Sequence, residues 1–299
     1  MRSLLFVPGD SERKLAKAAD SGADALILDL EDSVSQSRKV EARQIVASFL
    51  TKAQRGAGTP WLIVRINALD TGLSDDDLAA VVSASPDIIL LPKAGSGAEI
   101  QDLSARIAVL EVEAGLEEGK ILIHALMTET AGGMLSAGSF AAKSERLSAL
   151  AWGAEDLAAD IGASSNKDAN GVYTDVFRMA RSLTILAAAH SRVDAIDTVF
   201  TDFKDLEGLE AECRAAVRDG FNGKMAIHPD QVAVINKTFT PQAEDVERAV
   251  RILALFAAAG PDAGVLSLDG KMIDRPHLRQ AQRIARRAGL EPKEMPKID

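Results

Sequence analysis

The chain has 299 residues, of which 47% are apolar and 26% are charged, as is typical of a globular protein. The formal net charge of −10 and the lack of a basic tract argue against nucleic-acid binding. No apolar run approaches the roughly 18 residues of a membrane span, and the run at residues 4–7 is too short for a signal-peptide core. The single cysteine, Cys213, cannot form an internal disulfide, so we expect a cytoplasmic protein without membrane partners.

Short apolar runs alternate along the chain with longer Ala-rich segments that have helical spacing. The predicted strands are residues 4–7, 25–30, 61–66, 87–91, 121–127, 147–153, 194–200 and 223–228. The predicted helices are residues 11–22, 36–50, 74–84, 97–115, 131–142, 174–190, 203–220 and 230–239. Most of the strands are apolar throughout, which is typical of parallel strands covered on both faces. Eight βα units predict an α/β protein with a (β/α)8 TIM barrel over residues 1–240, and a doubly wound open sheet is the alternative.

The remaining residues, 241–299, do not continue the alternation. Residues 243–260 form one predicted amphipathic helix, and residues 275–289 form another that is basic near its end. Between them, residues 264–274 are predicted to contain a turn with short extended pieces. This C-terminal helical extension is expected to act as a cap on the barrel or as an arm onto a neighbouring subunit.

Charged side chains follow most of the predicted strands at the point where each strand ends. These residues are Asp29, Glu31 and Asp32 after the second strand, Arg65 after the third, Lys93 after the fourth, Glu129 after the fifth, Asp156 after the sixth and His228 after the eighth. The active site of a (β/α)8 barrel lies at the carboxyl-terminal ends of its strands. The pattern therefore predicts an active site at this rim.

Glu129 and Asp156 follow neighbouring strands and form the sharpest pair. Two carboxylates with water and substrate oxygens are a common Mg²⁺ site, and no His or Cys accompanies them to suggest zinc. Alternatively, the two acids pair with Arg65 and Lys93. An acid/base pair for sugar hydrolysis is a weaker interpretation, because a chain with two Trp and one Tyr offers few aromatic platforms.

Two further interpretations concern side chains near this rim. Arg65 is expected to stabilise a substrate carboxylate or enolate oxygen, to form a bridge to Asp29 or Glu31, or to do both. The residues after Gly153 are interpreted as a long polar insert, within which Asp160 serves the following loop.

Seven stretches together resemble a known family. They are RSLLFVPGD, LDLEDSV, VRIN, LPKA, the segment around Glu129, WGAEDLAADIG and GKMAIHPDQV, in this order and spacing. The chain resembles the citrate lyase β-subunit-like proteins and malyl-CoA lyases of the HpcH/HpaI aldolase/citrate lyase superfamily from residue 2 to about residue 282. This resemblance implies a barrel that binds Mg²⁺ and cleaves or forms a carbon–carbon bond between a 2-oxo acid and an acyl thioester.

The resemblance also assigns roles to individual residues. Glu129 and Asp156 match the metal ligands, Arg65 matches an arginine beside the thioester and the oxo acid, and Glu31 and Asp32 match a supporting acidic motif. Within the matched stretches, Arg2, Lys93 and His228 are the candidate CoA-binding residues. Asp274, in the stretch GKMID, matches a catalytic aspartate that reaches the active site of a neighbouring subunit, which implies a homo-oligomer, either a trimer or a hexamer.

These observations predict a Mg²⁺-dependent lyase that cleaves a 2-hydroxyacyl thioester, such as malyl-CoA, citramalyl-CoA or a citryl thioester, into an acyl-CoA and a 2-oxo acid. Three different functions stay open beside it. They are an aldolase acting on free 2-oxo acids, a citrate lyase β subunit acting on an acyl-carrier-protein thioester, and a non-catalytic subunit of a lyase complex.

Overall fold

The computed structural model describes residues 1–142, 144–260 and 263–290, and it contains the predicted barrel. Eight parallel strands follow one another around a closed barrel in chain order, and the last pairs with the first. The strands are β1 (Ser3–Pro8), β2 (Ala25–Asp29), β3 (Trp61–Arg65), β4 (Ile88–Leu91), β5 (Leu122–Leu126), β6 (Leu147–Ala151), β7 (Asp194–Asp197) and β8 (Gly223–Ala226). The (β/α)8 barrel is therefore confirmed, and the open sheet is wrong.

Helices lie between successive strands and after the last strand, as the Ala-rich segments predicted. They are α1 (Glu12–Ala18), α2 (Lys39–Lys52), α3 (Ser74–Val81), α4 (Gly97–Glu113), α5 (Ala131–Leu135), α6 (Ala154–Asp160), α7 (Asp175–Ser191), α8 (Leu206–Asp219) and α9 (Pro229–Phe239). Short 3-10 turns occur at Gln36–Arg38, Leu69–Thr71, Val82–Ala84 and Ala137–Ala142.

Alternate side chains of the strands fill the barrel. This interior layer includes Leu4, Ile27, Ile63, Leu90, Leu126, Ile196 and Met225. Side chains at the intervening positions, such as Leu26, Val64 and Ile89, are also completely buried because they point to the other face of the sheet. Burial on both faces explains why the strands carry apolar residues without alternation.

The contacts divide the chain into one unit from Met1 to Asn236 and a second from Lys237 onward. The second unit contains α10 (Ala243–Ala259), the hairpin of β9 (Val265–Leu268) and β10 (Lys271–Asp274), and α11 (Arg275–Arg287). Its core includes Ile252, Phe256, Ile273 and Leu278. The predicted extension accordingly has a core of its own, while its role as a lid or oligomer arm stays a prediction. Residues 291–299 of the extension lie outside the described residues.

Two interpretations of the segment after β6 are wrong. Residues 154–160 form helix α6 rather than the start of a polar insert, and Glu155 and Asp156 lie in its first turn, where the helix dipole favours acids. Asp160 accepts a hydrogen bond from the backbone N–H of Ala131 at 2.7 Å, so it serves the start of α5 and not the following loop.

Among the described residues, no helix has the length and apolar character that would suit a membrane crossing.

Candidate active site

A pocket of about 250 Å³ lies at the carboxyl-terminal rim of the barrel, where the sequence predicted the site. Asp29, Asp32, Arg65, Glu129 and Asp156 line it together with apolar side chains from the top of the barrel. Each charged group comes from the end of a strand or from the segment that follows it. The barrel topology thus brings together these five charged side chains, which are up to 127 positions apart, the difference between 29 and 156.

Arg65 is held rigidly by two acids from the second strand and its loop. Its Nε and Nη2 atoms donate to the two carboxylate oxygens of Asp29 at 2.7 Å each, and Nη1 lies 2.8 Å from Glu31 Oε2. Burial disfavours the charged Asp29, but Arg65 outweighs this effect and lowers the pKa of Asp29. The Phe6 ring lies 4.7 Å from the guanidinium carbon. The predicted bridge from Arg65 to Asp29 and Glu31 is confirmed.

Glu31 is nearly buried and shares its charge between two cations. Oε1 is ion-paired with Lys93, and Oε2 is ion-paired with Arg65. Within the described part of the chain, Oε2 accepts no hydrogen bond, because the geometry of its contact with Arg65 is unsuitable. Desolvation raises the pKa of Glu31 against the influence of both cations. The buried ammonium of Lys39 donates to the backbone oxygens of Leu30 and Glu31 at 2.9 Å each, which fixes the loop that carries Glu31.

Glu129 is buried to 3% exposure and has no cationic side chain within ion-pair distance among the described contacts. One of its oxygens, Oε2, accepts a hydrogen bond from the backbone N–H of Lys93 at 2.7 Å. Burial and the Asp156 carboxylate raise the pKa of Glu129 to about 8, against the opposing charge of Arg65. A buried carboxylate in this state is suited to a further cation. The alternative in which Glu129 is neutralised by Arg65 or Lys93 is therefore not supported, whereas Asp156 does pair with Lys93, at 3.1 Å.

Gly153 leaves the space that the Glu129 carboxylate occupies. A Cβ atom at position 153 would lie 2.7 Å from Glu129 Oε1, much closer than side chains tolerate. In the described part of the chain, no three His, Cys, Asp or Glu side chains form a ready-made metal cluster. Two carboxylates that leave the other positions to water and substrate oxygens fit Mg²⁺, which usually retains several waters.

Sequence reasoning missed a second ionic cluster, which lies beneath the helices outside β7 and β8. The fully buried Lys224 ammonium contacts Asp197 at 2.8 Å and Glu212 at 2.7 Å, and Glu212 also binds Lys167 at 3.1 Å. Trp152 donates to the other oxygen of Asp197 at 2.8 Å. The lysine within the apolar stretch GKMAIH was the available signal, but its partners lie on other elements.

This second cluster connects to the pocket through the loop between α6 and α7. Lys167 belongs to that loop, and the neighbouring Asn166 donates to Glu155 at 2.8 Å. Glu155 lines the pocket beside Asp156. The buried ion pairs therefore fix a loop that supports one wall of the site.

A model of the family described as HpcH/HpaI aldolase/citrate lyase matches residues 2–229. The chain belongs to this family. A (3S)-malyl-CoA thioesterase of Cereibacter sphaeroides is 36% identical over 288 residues, which are 96% of this chain and 94% of that protein. The mitochondrial citramalyl-CoA lyase of Rattus norvegicus is 35% identical over 294 residues, which are 95% of this chain and 84% of that protein.

Solved structures of the HpcH/HpaI family share the fold. The crystal structure of CitE from Mycobacterium tuberculosis in complex with magnesium, acetoacetate and coenzyme A is 35% identical, with a TM-score of 0.74. The match covers 96% of this chain and 98% of that one. Another structure, of the M. tuberculosis citrate lyase β subunit, is complexed with oxaloacetate and magnesium.

The structure does not bring Arg2, a candidate CoA-binding residue of the family resemblance, to the pocket. Arg2 precedes β1 and so lies at the opposite, amino-terminal face of the barrel. Its Nη2 atom and its backbone N–H bind Asp24 at 2.7 and 2.6 Å, respectively. This geometry gives Arg2 a structural role in joining β1 to the start of β2, so its assignment to the cofactor is corrected.

His228 and Lys93 lie at the predicted rim, but their surroundings differ. His228 is partly exposed and stacks on Phe203, with ring centroids 4.8 Å apart, next to the pocket residue Ile227. Lys93 is occupied by acids, and its ammonium contacts Glu31, Asp32 and Asp156. CoA binding by His228 stays a prediction. CoA binding by Lys93 also stays a prediction, but the contacts of its ammonium with these acids indicate a role within the acidic site.

Asp274, the catalytic aspartate that the family resemblance implies, belongs to the second unit. It is the N-cap of α11, where its carboxylate accepts a hydrogen bond from the backbone N–H of His277 and lies 2.6 Å from Nδ1 of the same residue. The hydrogen bond from His277 lowers the pKa of Asp274. Any test of Asp274 in catalysis must therefore preserve its capping function.

Proposed function

We propose that the protein is a Mg²⁺-dependent carbon–carbon lyase that cleaves the CoA thioester of a 2-hydroxy acid into an acyl-CoA and a 2-oxo acid. Malyl-CoA, citramalyl-CoA and a citryl thioester are the candidate substrates. The observation that carries this proposal is the rim pocket, which combines a clamped guanidinium with two carboxylates, one of them buried without a cationic side chain in ion-pair contact among the described residues. The family relatives that act on malyl-CoA and citramalyl-CoA support the thioester class.

Glu129 and Asp156 are the residues that would hold Mg²⁺. When bound, the ion would supply Lewis acidity toward the hydroxyl and carboxylate oxygens of the substrate. The backbone N–H of Lys93 orients Glu129, and the position of Asp156 in the first turn of α6 fixes the second carboxylate. The related structures with bound magnesium support this assignment.

Arg65 would stabilise the negative charge that develops on the thioester fragment. Cleavage leaves the bonding electrons on the acyl-CoA fragment as an enolate, whose oxygen gains charge. A guanidinium held in place by Asp29 and Glu31 requires little reorganisation, and such preorganised donors contribute strongly to catalysis. Its N–H groups that are not bound to these acids remain for the substrate.

The substrate hydroxyl would lose its proton as the carbon–carbon bond breaks, and Asp274 from a second copy of the chain would shuttle a proton to the enolate carbon as a general acid or base. This role, the homo-oligomer of three or six subunits and the action of the C-terminal extension as a lid rest on the family resemblance. Closure of a lid would protect the enolate from water. The cytoplasmic location expected from the single cysteine also stays a prediction.

A second candidate function is hydrolysis of the thioester itself. It is favoured by the name of the malyl-CoA thioesterase relative, which is as similar to this chain as the lyase relative. The released products distinguish the two reactions, because a lyase releases acyl-CoA with a 2-oxo acid and a hydrolase releases free CoA with a 2-hydroxy acid. Activity on free 2-oxo acids would instead identify an aldolase, and activity on acyl-carrier-protein thioesters would identify a citrate lyase β subunit.

The decisive experiment is a panel of CoA thioesters, assayed for acyl-CoA, free CoA and oxo acid with and without Mg²⁺. We expect oxo-acid release that requires Mg²⁺ and that falls at least about a hundredfold in Glu129→Gln and Asp156→Asn. Asp175→Asn is the control, because that carboxylate is 98% exposed at the start of α7, and it should retain full activity. Full activity of either site variant would refute the metal assignment, and inactivity of the wild type on every thioester would favour a non-catalytic subunit.

A further inference from the structure

Lys93 contacts both candidate metal ligands, each through a different part of the residue. Its backbone N–H donates to Glu129 Oε2 at 2.7 Å, whereas its side-chain ammonium lies 3.1 Å from Asp156 Oδ1. The same ammonium also contacts Glu31 and, at 3.1 Å, Asp32. Lys93 thus connects the acids from three different strand ends.

The Lys93 ammonium lies close enough to the candidate metal ligands to repel a cation bound there. Mg²⁺ at Glu129 and Asp156 would share the Asp156 carboxylate with a positive charge already in contact with it. The ammonium and the metal ion would therefore repel each other, and this repulsion is stronger where water is partly excluded, because the effective dielectric constant is lower there. The ammonium side chain is 30% exposed, so solvent screens this repulsion only in part.

We propose that Lys93 is an internal counter-cation that weakens Mg²⁺ binding at this site and stabilises its acidic residues when the metal is absent. The proposal rests on the proposed function, since it needs Mg²⁺ at Glu129 and Asp156. It assigns Lys93 to the control of metal affinity rather than to CoA binding. Lys93 acts through the ligands and is a positioning residue, not a catalytic one.

The backbone of Lys93 allows its two contributions to be separated. Its φ angle of 51° lies in the left-handed region, which Gly adopts without strain. Lys93→Gly keeps the N–H group that binds Glu129 and removes the ammonium, whereas Lys93→Arg keeps a positive charge. A role confined to the backbone would leave Mg²⁺ affinity unchanged in both variants.

The first experiment measures Mg²⁺ affinity by calorimetry, and the melting temperature in EDTA, for the wild type, Lys93→Met, Lys93→Gly and Lys93→Arg. We expect Mg²⁺ to bind at least about tenfold more tightly to Lys93→Met and Lys93→Gly, but with similar affinity to Lys93→Arg. The melting temperature of Lys93→Met in EDTA should fall. A general loss of structure would lower both stability and metal affinity, so the opposite signs distinguish the proposed role from misfolding.

A chemical rescue provides the matched control within one protein. Lys93→Cys can be aminoethylated to restore a positive charge of nearly the same length, while Cys213, the other thiol, is buried. Mg²⁺ affinity should be high before aminoethylation and return to the wild-type value after it. Unchanged or weaker Mg²⁺ binding in all uncharged variants would overturn this inference, whereas failure of the wild type to bind Mg²⁺ at all would overturn the proposed metal site instead.

Discussion

Gly153 illustrates how the site depends on the absence of one side chain. Its φ of −125° and ψ of 117° are accessible to any residue, so a substitution there would act through contact and not through backbone strain. The nearest group is the Glu129 carboxylate, 2.7 Å from the position of a Cβ atom. The opening Trp-Gly of the stretch WGAEDLAADIG therefore has a physical role, which is to leave room for a proposed metal ligand from the neighbouring strand.

We predict that Gly153→Ala displaces Glu129 and lowers turnover by about a hundredfold, since displacements of about 1 Å at a catalytic group have effects of this size. Steady-state kinetics with varied Mg²⁺ would measure it, and higher Mg²⁺ should recover part of the activity. Gly138→Ala is the matched control, because a Cβ atom there meets nothing within 4 Å. Wild-type kinetics in Gly153→Ala would show that the Glu129 position is not critical.

At the level of single residues, the sequence predicted which side chains gather but not how they pair. The positions of Asp29, Arg65, Glu129 and Asp156 at the rim follow from the strand ends alone. The contact between Lys93 and Asp156 joins the loop after β4 with the helix after β6, and no local pattern encodes a contact between elements that are not neighbours. Side-chain reach and burial, which decide such pairs, depend on the folded arrangement.

Individual strands and helices could be predicted where burial restricts which amino acids a segment contains. The strands of the barrel are apolar throughout because both faces are covered, and this separates them clearly from the helices. Helix α6 was missed because its seven residues include three acids, which appear as a polar insert unless their position at a helix start is considered. Lys224 in β8 interrupts an apolar strand, and its buried partners come from β7 and α8.

The buried His124 in β5 makes the free energy of unfolding of the protein depend on pH. Leu126, two positions further, points into the barrel, and His124 points to the same side. Burial and the charge of the amino terminus lower the pKa of His124 to about 3, compared with 6.5 in a model peptide. Below pH 6.5 the unfolded chain therefore binds a proton that the folded chain does not bind.

From this difference we predict that His124 lowers the free energy of unfolding progressively as the pH falls from about 6.5 toward 3, by about 1 kcal/mol per pH unit. Urea unfolding at several pH values should show a smaller loss of stability at low pH in His124→Leu than in the wild type. His190→Gln is the control, because that histidine is exposed on α7, and its curve should follow the wild type. Parallel curves for His124→Leu and the wild type would contradict the prediction.

For the whole molecule, the sequence predicted the closed barrel and a C-terminal extension, whose action as a lid or an oligomer arm stays a prediction. Eight repeated βα units favour a closed barrel over an open parallel sheet, and the pairing of β8 with β1 decides between the two. The extension has its own core around Ile252 and Ile273, which explains why its pattern differs from the barrel. Assembly depends on surfaces that meet between copies, and sequence periodicity within one copy carries little information about them.

If Asp274 completes the site of a second copy, two inactive variants should restore activity when they are mixed. Arg65→Lys removes the bidentate contact with Asp29, and Asp274→Asn removes the acid while retaining a side chain that caps helices well. In a head-to-tail assembly of the two variants at equal amounts, each site combines the barrel of one subunit with the extension of another. About half of the barrels carry Arg65 and about half of the extensions carry Asp274, so about one quarter of the sites would hold both intact residues.

The measurement is the turnover of the mixture after dissociation and reassembly of the subunits, compared with each variant alone. We expect recovery toward one quarter of the wild-type rate, with the melting temperature of Asp274→Asn close to that of the wild type. Asp274→Ala, which loses the helix cap as well, should be less stable by about 1 kcal/mol. It should still restore activity when mixed with Arg65→Lys, because its barrel retains Arg65. Recovery would establish a site shared between copies, because neither variant can form an intact site alone, and a mixture no more active than its components would locate the reaction within one chain.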